Sequence, residues 1–133
     1  MHILVATKQA DLRVAIELYL TQEPGLDIVG TVSDAANLRA LLQAAEPDLI
    51  VLDWDLPGHP PAGLVTEAKR LASAPHVIVI GVDFDVKPKA LAAGADAFVL
   101  NGSLPQHLLA AVRQAQSRRA QATGDVITKG MGE

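Results

Sequence analysis

The sequence predicts an α/β fold, an open, doubly wound parallel sheet of five strands with helices on both faces. That expectation rests on three features of the chain. The runs Ile3-Leu4-Val5-Ala6, Leu49-Ile50-Val51-Leu52 and Val77-Ile78-Val79-Ile80 are apolar without alternation, as strands covered on both faces are. Between them lie stretches with apolar residues at helical spacing. Strand and helix patterns alternate to the end, which implies right-handed crossovers between parallel neighbours.

The elements follow in order. After the first strand, Leu12, Ala15, Ile16 and Tyr19 mark a helix, and Asp27 to Val32 form a weaker strand. Leu38, Leu41, Leu42 and Ala45 give the second helix, and the third strand ends in Asp53. Pro60 and Pro61 start a third helix carrying Leu64, Ala68 and Leu71, since proline suits the first helical turn. After the fourth strand, a short helix is expected from near Pro88 to Gly94. A fifth strand spans Ala97 to Leu100. The last helix is expected from Ser103 and Leu104, with Ser103 as N-cap, through Leu108, Val112 and Ala115. The remainder, TGDVITKGMGE, lacks periodicity. The expected organisation is one domain over 1–122 and a disordered tail or linker over 123–133.

Composition narrows the function. With 133 residues, half of them hydrophobic and a fifth charged, the chain suits one folded domain rather than a disordered one. A net charge of −4 provides no broad positive field for nucleic acid. The absence of cysteine removes disulfides, thiolate chemistry and Cys-based zinc sites. The run Ile3 to Ala6 is too short for a signal peptide or membrane span, so a cytoplasmic domain is expected.

Ligands of such sheets sit beyond the carboxyl ends of the strands, where Thr7, Lys8, Asp53, Asp55, Gly81, Asp83 and Asn101 fall. The block PDLIVLDWDLPG (47–58) resembles the third strand and phosphoacceptor loop of bacterial response-regulator receiver domains. ILVATKQADLR (3–13) resembles their first strand and helix entry, and GADAFVLNGSLPQHLLAAVR (94–113) their fifth strand and last helix. The resemblance covers roughly residues 2 to 120 and implies the flavodoxin-like order 2-1-3-4-5.

It also implies a role for Asp53, as the aspartate that accepts a phosphoryl group from a histidine kinase. The family's helpers are a magnesium ion held by acids after the first strand, a hydroxyl after the fourth and a lysine after the fifth. Here those positions hold Thr7 and Lys8, Gly81, and Asn101, with Gly102 where a proline normally follows. Lys8 is therefore expected to pair with Asp53 in place of the ion, and no metal or other cofactor is expected. Under the alternative, a rearranged magnesium site would use Asp53 with the rim acids Asp55 and Asp83. Phe98 holds the position of the family's switch aromatic, and Gly81 is expected to leave it room to stay inward.

Other residues have plainer readings. Asp55 and Asp83 suit solvated loops, and Trp54 suits packing against a helix. His2, His59, His76 and His107 lack metal-motif spacing. The leading expectation is a non-enzymatic interaction module, an atypical receiver with phosphorylation at Asp53 lost or weakened. Its partners would be a histidine kinase, another signalling protein or its own output domain. A homodimer through the fourth helix, fifth strand and fifth helix is also expected of the family. The alternative is a working phosphoacceptor. A distant third is a small-molecule-binding flavodoxin-like domain, disfavoured because Thr7-Lys8-Gln9 has no phosphate-cradling glycine.

Overall fold

The three apolar runs pair side by side and make the centre of one parallel sheet. The computed structural model describes residues 1–132, with side chains described through Ala120. The strands are β1 (His2–Ala6), β2 (Asp27–Val32), β3 (Leu49–Asp53), β4 (His76–Gly81) and β5 (Ala97–Leu100). The helices are α1 (Ala10–Thr21), α2 (Ala35–Ala45), α3 (Pro61–Lys69), α4 (Val86–Ala93) and α5 (Gln106–Gly132). The sheet order is β2-β1-β3-β4-β5 with every neighbouring pair parallel, as the sequence predicts.

Strand side chains alternate between two cores. Leu4, Ala6, Ile50, Leu52, Val77 and Val79 face one layer with Leu38, Leu42, Leu64 and Val65. Ile3, Val5, Val51, Ile78, Ile80 and Val99 face the other with Leu12, Ile16, Leu108 and Val112. Each fully buried side chain of this size contributes about 1.5–3 kcal/mol relative to exposure. No described helix is long and apolar enough to cross a membrane.

Three boundaries differ from expectation. α4 begins at Val86, so Pro88 sits inside the first turn, where its missing N–H has no intrahelical partner to lose. Gly94 closes that helix at φ 112°, as the sequence suggests. Ser103 is not the N-cap of α5. It ends a 3-10 turn over Asn101–Ser103, and Leu104 stays extended (φ −76°, ψ 149°) because the residue before a proline is kept out of the helical region. The Leu104–Pro105 peptide is cis. α5 starts at Gln106, and the Pro105 carbonyl accepts its early bond from the Leu109 N–H at 2.9 Å. Finally, the backbone continues α5 through the span expected to be a tail. The side chains of that span lie outside the described residues.

Candidate functional site

The site is assembled by register. β1 pairs with β3 so that Ala6 faces Leu52, and one further step brings Thr7 beside Asp53. β4 lies on the other side of β3, with Ile80 facing Asp53, and its carbonyl accepts the Trp54 N–H at 2.9 Å. Asp53 is 4% exposed and Thr7 1%, so a carboxylate and a hydroxyl share a nearly dry pocket.

A buried carboxylate must have its oxygens satisfied. The Thr7 hydroxyl donates to Asp53 Oδ2 at 2.7 Å, and the Gln9 Nε2 amide donates to the same oxygen at 3.3 Å. The Asp55 backbone N–H donates to Oδ1 at 3.0 Å. Thr7 Oγ1 in turn accepts the Gln9 N–H at 3.1 Å, which locks the threonine rotamer at the entry to α1. Asp53 is thus held by three neutral donors.

The expected pairing of Lys8 with Asp53 is corrected here. Lys8 is exposed, and among the described residues no cation lies within 4.0 Å of Asp53. The reason is local: the chain bends at Lys8 between β1 and α1. Thr7 and Gln9, two residues apart and on either side of that bend, both reach Asp53 Oδ2, while Lys8 stays exposed. Gln9 is the partner that sequence reasoning missed, and that same i, i+2 spacing from Thr7 was the signal available.

The other positions are distributed around the strand ends. Asp55 and Asp83 are exposed, and Asp83 Oδ1 accepts the Asp85 N–H at 3.0 Å. Asn101 opens the 3-10 turn after β5, two strands from Asp53, or about 10 Å at the usual strand spacing. It is not one of the Asp53 partners. Phe98 is half-buried, and its ring lies against Gly81: a Cβ on Gly81 would fall 2.9 Å from its Cε1 and 3.2 Å from its Cζ. The same Cβ would meet Val86 Cγ1 at 3.2 Å. Phe84, 65% exposed, tilts against Phe98 with centroids 6.5 Å apart. Trp54 is half-buried against the core shared by α2, α3 and α4. In α4, Ala90 is buried, Ala93 half-buried and Ala92 exposed.

The donor set does not match the magnesium site implied by the resemblance. Magnesium requires near-octahedral oxygen ligation, usually with one or two carboxylates besides water and phosphate. Asp53 is the one buried carboxylate among the described residues, and both its oxygens already accept hydrogen bonds. Among the described residues no group of three or more His, Cys, Asp or Glu is placed to hold a metal ion.

Comparison with known proteins bears on the fold that carries this site. The family model for the response regulator receiver domain matches residues 3–113. The nitrate/nitrite response regulator NarL of Escherichia coli K12 is 29% identical over 107 residues, covering 78% of this chain and 49% of that protein. A protein-glutamate methylesterase/protein-glutamine glutaminase of Anaeromyxobacter dehalogenans is 35% identical over 100 residues, covering 71% of this chain and 29% of that protein. The chain therefore spans half or less of the length of these relatives. The response regulatory domain of mrkE from Klebsiella pneumoniae superposes with a TM-score of 0.84 at 16% identity, covering 91% of this chain and 99% of that one. The response regulator domain of Thermotoga maritima CheB gives 0.78 at 22% identity, covering 88% and 96%. At those identities the two structures speak to the fold.

Proposed function

The chain belongs to the response regulator receiver domain family, and on that footing we propose that it is a protein-interaction module of two-component signalling in which phosphoryl acceptance at Asp53 is lost or strongly weakened. The observation that carries this reading is the closed pocket: Asp53 is buried and held by Thr7, Gln9 and the Asp55 N–H, with no cation beside it among the described residues. A transferred phosphoryl group brings about −1.5 to −2 charges. Its stabilisation depends on cations and donors aimed at the developing charge. Neutral donors already engaged with the carboxylate are a poor substitute.

The partner surface lies on the neighbouring elements. Val82 and Phe84 follow β4 and are 68% and 65% exposed, and Leu91 on α4 adds a third exposed apolar group. These face a histidine kinase, another signalling protein, an output domain or a second copy meeting α4, β5 and α5. The module works in the cytoplasm, without a cofactor and without chemistry of its own.

The test exploits Trp54, the single tryptophan of the chain and the residue after Asp53. Magnesium is titrated with and without beryllofluoride while Trp54 fluorescence and backbone NMR spectra are followed. Acetyl phosphate treatment is read by intact mass. The expected result is no saturable change and no adduct. A stoichiometric phosphoryl adduct on Asp53 would overturn the reading and restore the relay alternative with Asp55 or Asp83 near the ion.

A further inference from the structure

The opposite end of the sheet carries a second cluster of charged groups that the phosphoacceptor position does not use. Asp48, just before β3, is its centre. The Asp48 Oδ2 accepts the His2 backbone N–H at 2.7 Å, and its Oδ1 accepts from Arg119 Nη2 at 3.1 Å. Its main chain is tied as well: the Asp48 N–H donates to the His2 carbonyl at 2.8 Å, and its carbonyl accepts the His76 N–H at 2.9 Å. Arg119 then reaches His76, with Nη1 3.5 Å from the imidazole Nδ1. One guanidinium on α5 thereby holds the entrances of both β3 and β4.

We propose that Asp48, His76 and Arg119 form a proton-sensitive clasp that fixes where α5 leaves the sheet, closed when the imidazole is neutral and opened when it takes a proton. The inference is independent of whether Asp53 is ever phosphorylated. A guanidinium only donates, so the contact needs an unprotonated Nδ1 as acceptor, with the imidazole hydrogen on Nε2. Protonation places an N–H on Nδ1, facing the N–H of Arg119, and sets two cations against each other.

The surroundings leave little to offset this. Facing His76 are Lys69 from α3, Arg118 and Arg119 from α5, and the carboxylate of Asp96 before β5. Asp96 is already engaged by Lys69 Nζ at 2.9 Å and by the Val77 N–H at 2.8 Å. Asp48 is engaged by Arg119 and His2. Each nearby acid thus has a partner before the imidazole gains its charge. Burial and the three cations hold the imidazole below its ordinary pKa, against the pull of Asp96.

The consequence is mechanical. From Arg119 the α5 backbone continues to Gly132, about 20 Å at 1.5 Å per residue. A pin at Arg119 sets the direction of that lever relative to the sheet. Releasing the pin frees its base, whatever the far end contacts.

The experiment uses the full chain, with His76 titration followed by imidazole NMR and α5 followed by amide exchange corrected for intrinsic rates. Between about pH 8 and about pH 5, protection of α5 amides near Arg119 is expected to fall several-fold as the imidazole takes up its proton. In His76→Gln, which keeps an acceptor but does not titrate, the fall disappears. In Arg119→Gln, the His76 midpoint moves up and α5 protection is low at both pH values. A His76 midpoint unmoved by Arg119→Gln overturns the proposal, as does a fall in protection that persists in His76→Gln. The Arg119→Gln readout stands even if His76→Gln folds poorly.

Discussion

At the scale of single residues, Asp53 exposes the difference between reading a position and reading a contact. Its place at the end of β3 was legible from four apolar residues followed by an acid and a Pro-Gly turn. Its partners were not, because which side chains converge there depends on how the chain turns from β1 into α1. Charge alone favoured Lys8; the bend at Lys8 between β1 and α1 brings Thr7 and Gln9 to the carboxylate instead. Thr7→Val, nearly isosteric but without the hydroxyl, should therefore cost about 1–3 kcal/mol, because a buried carboxylate oxygen loses its shortest donor. Urea unfolding would register this as a lower midpoint, and Thr7→Ser should recover most of it. Gly81 gives a second prediction. A threonine there would drive its Cβ to 2.9 Å from the Phe98 ring and 3.2 Å from Val86, and Phe98 must swing outward. The expected loss is about 1–3 kcal/mol, as for other overpacked sites, with a changed NMR environment of the Phe98 ring. An unchanged Phe98 environment in Gly81→Thr would refute the packing argument.

At the scale of elements, helices whose starts are set by their own side chains behave as local chemistry dictates. α2 is capped by Asp34, whose Oδ1 accepts the Asn37 N–H at 2.8 Å while the Asn37 amide returns a bond to Oδ2 at 3.1 Å. Asp34→Ala should destabilise the domain by about 0.5–2 kcal/mol, and Asp34→Ser by much less. Matching urea curves for wild type and Asp34→Ala would remove the cap from any account of α2. α5 shows the opposite situation. Ser103 has the chemistry of a cap, yet Pro105 two residues later keeps Leu104 extended and moves the start to Gln106. The apolar face through Leu108, Val112 and Ala115 was legible because burial on the sheet enforces it, whereas the first turn is decided by backbone restrictions that periodicity does not register.

At the scale of the whole molecule, the order β2-β1-β3-β4-β5 was legible from the alternation of elements and the family resemblance, while the ion pairs that tie distant segments together were not. Arg119 and Asp48 are 71 residues apart, and nothing local in either segment announces the other. Those pairs give stability a definite pH dependence. His76 is held below its ordinary value of 6.5, chiefly by burial and then by Lys69, Arg119 and Arg118, with Asp96 opposing. The unfolded chain therefore takes up this proton first, so the contribution is complete above 6.5 and declines as pH falls toward the folded value. Asp48 has the acidic counterpart. Burial alone would raise its pKa, but the His2 N–H and the charges of Arg119, the amino terminus and His2 outweigh it, and the net shift from 3.8 is downward. Its contribution is present above 3.8 and disappears as pH falls through the folded value. Glu67 shifts in the same direction through Arg39, but at 42% side-chain exposure solvent screening leaves it little weight. Urea midpoints across a pH series should accordingly fall in two separated stages. His76→Gln should flatten the first stage and leave the second, and Asp48→Asn should reduce the second and leave the titration of His76 as the remaining cause of the first. A midpoint that holds constant from about pH 7 to about pH 5 in the wild type would mean that the imidazole is not enclosed as described, because a group free to protonate equally in both states contributes no slope.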